Sequence, residues 1–180
     1  VADALLERIA PGGHAWVRDV TISNSTFGNR YVNFAEPRHG VHALGGGIGQ
    51  GVAMGIGAAL ASDGPKAITL LGDGELAEGS SWEALMTAAH YELDNLTIII
   101  DRNHYQITGR TEDVNGLEPL ADKFTAFGCA VVECDGNDIK ALTQVFDRLP
   151  FVTNKPSLIL AHTIKGKGIS FMEAGSKWHH

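Results

Sequence analysis

Short apolar runs alternate with longer stretches of helical character along the chain. Two runs, Ala67–Leu71 and Leu96–Ile100, are almost continuously apolar, which is typical of strands buried on both faces of a parallel sheet. The pattern predicts further strands at His14–Val20, Cys129–Glu133 and Pro156–Ala161, and helices at about Gly49–Ala61, Glu78–Tyr91, Leu117–Phe127 and Asp138–Leu149. This alternation predicts one α/β domain over residues 1–180, with a doubly wound, mostly parallel sheet and helices on both faces.

Polar residues follow two of these strands. Gly72–Glu75 come directly after one strand, and Asp101–Asn103 end the next. In a sheet of this kind ligands bind beyond the carboxyl ends of the strands, and neighbouring strands would bring Asp73 and Asn103 together. Carboxylate and amide oxygens suit Mg²⁺, while bare glycine backbone and the N-terminus of the following helix suit a phosphate. A Gly-Asp-Gly turn alone is more often structural, but with the second motif the sequence predicts a site for a diphosphate bridged by Mg²⁺.

Composition and charge argue against some classes of binding partner. The chain has 180 residues, a formal charge of −7, 44% hydrophobic residues and 22 glycines. An acidic surplus without a basic block argues against nucleic acid or an anionic membrane as the main partner. No apolar run approaches the roughly 20 residues that span a bilayer, and no signal peptide is recognised, so we expect a cytoplasmic protein. Cys129 and Cys134 are expected to be free and to face opposite sides of the sheet.

Two longer segments resemble one known family. Gly72–Gly109 reads GDGELAEGSSWEALMTAAHYELDNLTIIIDRNHYQITG, and His162–His179 reads HTIKGKGISFMEAGSKWH. The first contains the spacing of the thiamine-diphosphate-binding motif, and both resemble transketolases closely. The resemblance implies that the cofactors are thiamine diphosphate and Mg²⁺ (or Ca²⁺ or Mn²⁺).

The resemblance to transketolases also implies roles for single residues in the cofactor site. The side chains of Asp73 and Asn103 and the carbonyl oxygen of Tyr105 would hold the metal ion. Three positions would bring their backbone to the diphosphate: Gly72, Gly74 and Glu75. His179 would lie near the diphosphate and the incoming sugar, where an imidazole can donate to phosphate and exchange protons with a hydroxyl.

Other implied roles concern the edges of the site. Glu78 and Glu83 match glutamates that lie at the subunit interface of transketolases and join the glutamate that activates the aminopyrimidine. Read without the resemblance, they are a solvated helix face. Lys165 and Lys167 would lie on a cationic loop over the diphosphate, although a solvated turn explains them nearly as well.

The first 60 residues resemble transketolases less. Asp19–Leu60 looks more like the cofactor-binding domain of 2-oxoacid decarboxylases and carboligases such as benzoylformate decarboxylase. In those enzymes the stretch that contains Gly46 and Gly47 lies against the thiamine and approaches the diphosphate. His39 and His42 precede this stretch and are interpreted either as substrate contacts or as histidines satisfied within a turn.

The resemblance finally implies a function shared with a partner. We expect no room in 180 residues for the pyrimidine-binding module that carries the activating glutamate. The chain is therefore expected to be one subunit of a two-component transketolase-like enzyme, a hetero-oligomer (dimer of heterodimers) that transfers a two-carbon ketol or acyl unit from a ketose phosphate. A 2-oxoacid decarboxylase or carboligase component, and a non-catalytic Mg²⁺–diphosphate-binding module, are the alternatives.

Overall fold

The computed structural model describes residues 13–20, 39–43, 45–61, 66–173, 175 and 178. The strands in this part of the chain are β1 (Ala15–Arg18), β2 (Gly40–His42), β3 (Ala67–Gly72), β4 (Leu96–Arg102), β5 (Tyr105–Gln106), β6 (Gly109–Arg110), β7 (Ala130–Asp135) and β8 (Ser157–His162). The helices are α1 (Gly51–Leu60), α2 (Gly79–His90), α3 (Thr111–Val114), α4 (Leu120–Ala126) and α5 (Ile139–Phe146), with a 3₁₀ helix at Asp73–Ala77. Six strands form one parallel sheet in the order β2-β1-β3-β4-β8-β7.

The sheet confirms the predicted α/β fold, because helices cover both of its faces. On one face, α1, α2 and α4 pack against alternate strand residues such as Ile98 and Ile100. On the other, Ile99 packs in a second layer with Trp16 and the apolar side of α5. Successive residues of a strand point to opposite faces, so a continuous apolar run supplies both layers.

The helix that is rich in small residues lies very close to the sheet. A Cβ added at Gly55 of α1 would lie 3.1 Å from Leu96 Cδ1 and 3.5 Å from Thr69 Cβ. The hydroxyl of Thr69 also donates to the carbonyl of Gly51, the first residue of α1, at 3.1 Å. The small residues of α1 therefore fix the distance between this helix and β3.

The structure corrects several element boundaries and adds short elements. The predicted helix at Leu117–Phe127 begins only at Leu120, because a residue that precedes proline is disfavoured in helical conformation and Pro119 stands at the N-cap. The strand β2, the hairpin of β5 and β6, the one-turn helix α3 and the 3₁₀ helix Asp73–Ala77 were not predicted. Each is too short to leave a hydrophobic period in the sequence.

Two smaller expectations concern the cysteines and the membrane. Cys129 and Cys134 are free, and they pack into the layers on opposite faces of the sheet, as predicted. No helix in the described part of the chain has the length and apolar character needed to cross a bilayer.

Candidate functional site

The carboxyl ends of β3 and β4 bring the two predicted motifs together. The strands are parallel neighbours, and Gly72 pairs with Asp101 in the register. Asp73 and Asn103 therefore leave the sheet at the same edge, as the sequence predicted.

Asp73 is a fully buried acidic residue at this edge. Its carboxylate is fully buried, and Oδ2 accepts hydrogen bonds from Arg102 Nη1 at 2.9 Å and from the His104 N–H at 2.7 Å. The second oxygen, Oδ1, is also buried but has no hydrogen-bond partner among the described residues. Burial raises the pKa of Asp73 to about 6, although Arg102 and the His104 N–H act in the opposite direction. A cation at Oδ1 would remove this burial cost, so the carboxylate fits a metal ligand.

The segment after β4 folds back over the Gly-Asp-Gly turn. His104 has a φ of 66°, in the left-handed region that few non-glycine residues adopt, and its N–H is the one that reaches Asp73. Asn103 Oδ1 accepts the Tyr105 N–H at 3.0 Å, and the hairpin of β5 and β6 follows. A Cβ added at Gly74 would lie only 2.9 Å from Gln106 Cβ. The structure thus packs the segment that carries Asn103 and Tyr105 directly against the turn that carries Asp73.

The predicted metal ligands are all oxygen atoms. Within the described ranges, no group of three or more His, Cys, Asp or Glu side chains could hold a metal ion. The ligand set implied by the resemblance does not need such a cluster, because besides Asp73 it uses the amide oxygen of Asn103 and the carbonyl oxygen of Tyr105. Such neutral and anionic oxygens are the donors that Mg²⁺ and Ca²⁺ take, and the role of these three residues as ligands stays a prediction.

Arg102 is a residue of the site that the sequence reasoning missed. Its side chain is fully buried, and its two terminal nitrogens donate to Asp73 Oδ2, Thr111 Oγ1 at 2.7 Å, Glu112 Oε1 at 2.8 Å and Glu118 Oε1 at 2.7 Å. Burial acts to lower the pKa of Arg102, but the carboxylates of Glu118, Asp73 and Glu112 more than offset it and the pKa is raised. A charged residue at the end of a continuously apolar strand, next to Asn103, was the available signal.

Glu75 contributes a buried carboxyl group as well as the predicted backbone. The side chain is 4% exposed, and Oε1 accepts the Gly72 N–H at 3.3 Å. Burial, followed by the negative charge of Asp19, raises the pKa of Glu75 to about 9, so this carboxyl group is neutral at pH 7. Asp19 in turn accepts the N–H of Gly51 at 2.6 Å and so caps α1. These contacts tie the end of β1 and the start of α1 to the Gly-Asp-Gly turn.

The helix whose N-terminal dipole is predicted to favour a phosphate is α2, which begins one residue after the predicted start at Glu78. The 3₁₀ helix Asp73–Ala77 directly follows β3, and α2 begins only at Gly79. The start of α2 contacts the loop that carries Gly46, Gly47 and Gly49: a Cβ at Gly49 would lie 2.7 Å from Glu78 Cβ, and Ser80 Oγ donates to the Gly49 carbonyl at 2.9 Å. The contact of this N-terminus with a phosphate stays a prediction.

The glycines and glutamates around this loop are accessible. Gly46 and Gly47 are exposed, and a Cβ added at Gly46 would have no atom within 4 Å. Glu78 and Glu83 are also exposed. Contact of the glycines with the cofactor, and of the glutamates with a partner, stay predictions.

The two lysines of the predicted cationic loop lie in different surroundings. Lys165 is half-buried; burial lowers its pKa, while Asp101 and Asp73 act in the opposite direction, so its ammonium group lies in the field of the site. Lys167 lines an open cavity of about 590 Å³ at the ends of β7 and β8. His179, the remaining predicted residue, lies outside the described residues.

His42 has a hydrogen-bond partner in the neighbouring strand. It lies in the edge strand β2, and its Nδ1 accepts a hydrogen bond from Arg18 Nε. Burial and the charge of Arg18 lower the pKa of His42. These contacts favour the structural interpretation of this histidine over a role in substrate binding.

Comparisons with known proteins agree with this geometry. The family model described as "Transketolase, thiamine diphosphate binding domain" matches residues 27–180. The chain is 44% identical over 145 residues to a protein of Phocaeicola vulgatus named as a subunit of apulose-4-phosphate transketolase, covering 78% of this chain and 52% of the relative. It is 41% identical over 169 residues to the protein of the same name from Actinobacillus succinogenes, covering 92% and 60%. The crystal structure of transketolase from Campylobacter jejuni matches with a TM-score of 0.68 and 34% identity, over 75% of this chain and 23% of that one.

These matches also bear on the N-terminal segment and on length. The family model begins at residue 27 and so includes most of Asp19–Leu60, the segment for which the sequence suggested decarboxylases. The chain spans between about half and three-fifths of the length of the two curated relatives. Because the family model matches most of its residues, the chain belongs to the transketolase family and carries that family's thiamine diphosphate-binding domain.

Proposed function

We propose that this chain is the diphosphate- and Mg²⁺-binding subunit of a two-component transketolase that transfers a two-carbon ketol unit between sugar phosphates. The observation that carries the proposal is the buried Asp73 Oδ1, which has no hydrogen-bond partner among the described residues and lies beside the segment of Asn103 and Tyr105. A buried carboxylate oxygen without a partner is costly, and a divalent cation would stabilise it.

The proposed function assigns a role to each group of residues in the site. Asp73 Oδ1, Asn103 Oδ1 and the Tyr105 carbonyl oxygen would hold Mg²⁺, or Ca²⁺ or Mn²⁺ in its place. The backbone of the 3₁₀ turn would bind the diphosphate through Gly72, Gly74 and Glu75, and Gly46 and Gly47 would border the thiamine. When bound, thiamine diphosphate would supply both the nucleophilic carbon and the electron sink that cleavage of a carbon–carbon bond next to a carbonyl group requires. His179 would donate to phosphate and move a proton at a substrate hydroxyl.

The site needs a second polypeptide in this proposal. Two curated relatives are each named as one subunit of a transketolase, which supports a partner that binds the pyrimidine ring and carries the activating glutamate. Glu78 and Glu83 are exposed at the start and in the middle of α2, where they would meet that partner in a dimer of heterodimers.

The proposal is tested by activity of the native complex. The chain is purified together with the subunit that copurifies with it, and the complex is given a ketose phosphate and an aldehyde acceptor. Apulose 4-phosphate, from the relatives' names, is the first donor to try. We expect two-carbon transfer that Asp73→Asn abolishes and that Asp122→Asn, which neutralises an exposed carboxylate on α4, leaves unchanged.

A 2-oxoacid serves as the competing substrate in the same assay. Release of CO₂ from it, without transfer from any ketose phosphate, would contradict the proposal and favour a decarboxylase. Full ketose turnover by this chain alone would contradict the need for a second polypeptide.

A further inference from the structure

Arg102 connects the candidate metal ligand to two glutamates on the far side of its guanidinium group. Nη1 donates to Asp73 Oδ2 at 2.9 Å, and Nη2 donates to Glu112 Oε1 at 2.8 Å and to Glu118 Oε1 at 2.7 Å. We propose that Arg102 is a positioning residue of the metal site: it orients Asp73 toward the cation, while Glu112 and Glu118 neutralise its charge so that the cation is not repelled. The inference rests on the proposed function.

The hydrogen bonds of Asp73 explain the orientation. Oδ2 receives both the Arg102 guanidinium and the His104 N–H, whereas Oδ1 receives no hydrogen bond from any described residue. Two donors on one oxygen prevent the carboxylate from rotating, because rotation would break both bonds in a fully buried place. One oxygen is therefore fixed by the protein and the other is left for a ligand.

The charges explain why two glutamates are present. A guanidinium group bonded to a metal ligand repels a divalent cation, and this repulsion is weakly screened where both side chains are fully buried. Glu112 and Glu118 approach the same guanidinium from its other nitrogen and bring the group of three to a net charge of −1. Both are held in place, because Glu112 also accepts the Leu117 N–H and Glu118 also accepts the Leu120 N–H. The guanidinium can then orient Asp73 without making the site electropositive.

Titration with Mn²⁺ tests this division of roles on the full chain. Free Mn²⁺ is counted by electron paramagnetic resonance with thiamine diphosphate present, and Tm is measured on the same samples. Glu118→Gln keeps an acceptor for the Leu120 N–H but removes the charge. Glu133→Gln is the matched control, because its side chain is 51% exposed against 53% for Glu118, and it pairs with His162 instead of Arg102.

We expect Glu118→Gln to weaken Mn²⁺ binding roughly threefold, and Glu112→Gln with Glu118→Gln roughly tenfold. Because both glutamates are partly solvated, Tm should fall by no more than about 4 °C. Glu133→Gln should bind Mn²⁺ as the wild type does. Equal Mn²⁺ affinity in all four proteins would overturn this inference but not the proposed function. An equal loss of Mn²⁺ affinity in the control would do the same. Absence of Mn²⁺ binding by the wild type would overturn the proposed function, and the inference with it.

Discussion

Replacing Gly74 by alanine tests the contact between the Gly-Asp-Gly turn and the hairpin that follows β4. The added Cβ would lie 2.9 Å from Gln106 Cβ, well inside the roughly 3.5–4.0 Å at which two carbon atoms attract. Gln106 belongs to the two-residue strand β5, so its Cβ moves only if the backbone of the hairpin moves. Forcing a methyl group into such a contact costs about 1–3 kcal/mol.

The assay is equilibrium unfolding in urea, with thiamine diphosphate binding measured in parallel. We expect Gly74→Ala to lower the free energy of unfolding by about 1–3 kcal/mol, or roughly 2–10 °C in Tm, and to weaken cofactor binding. The control is Gly57→Ala on α1, where the new Cβ meets no atom within 4 Å. Alanine is the better helix former there by about 1 kcal/mol, so this variant should gain stability.

A second substitution identifies the contact itself. Gln106→Gly removes the Cβ that Gly74→Ala would strike. The loss of unfolding free energy in the double variant should therefore be smaller than the sum of the two single losses, by about 1 kcal/mol or more. Additive losses, or an unchanged stability of Gly74→Ala, would refute the packing of the hairpin on the turn.

Three further predictions concern the core and the charged residues. Phe124→Ala should lower the free energy of unfolding by about 3–5 kcal/mol, measured by urea denaturation. Phe124 is fully buried and its ring stacks on Trp82 with 5.3 Å between the ring centroids. Arg102→Met should lower the free energy of unfolding by about 3–5 kcal/mol in the same assay, since it leaves the buried Asp73 carboxylate without its guanidinium partner. A loss as small as that of a surface substitution would contradict the network. Burial raises the pKa of the Cys129 thiol to about 12, so iodoacetamide at pH 8 should modify the less buried Cys134 first, as read by peptide mass spectrometry, and equal rates in the native protein would contradict the structure.

The parts of the fold that follow from sequence are those with a strong local pattern. The apolar run Leu96–Ile100 identified β4 because its side chains fill both layers of the core. The ends of the two apolar runs, Ala67–Leu71 and Leu96–Ile100, indicated the position of the candidate site, since parallel strands present their carboxyl ends at one edge. The cysteine positions followed from the same two-residue alternation.

The parts that did not follow depend on contacts between distant segments. Arg102 is buried because Glu112 and Glu118 fold back onto it from the segment beyond the hairpin, and no local pattern indicates that path. The pKa of Glu75 is raised by burial and next by the charge of Asp19, which arrives from the end of β1. The 3₁₀ helix after β3 spans five residues, too few for a helical period.

In the proposed function, Asp73 holds a cation through which this chain binds thiamine diphosphate. Isothermal calorimetry of the chain with thiamine diphosphate, with and without Mg²⁺, measures this directly for the wild type and Asp73→Asn, with Asp122→Asn as the control. We expect Mg²⁺-dependent binding that Asp73→Asn loses and the control retains. Binding that is independent of Mg²⁺, or equally strong in Asp73→Asn, would contradict it.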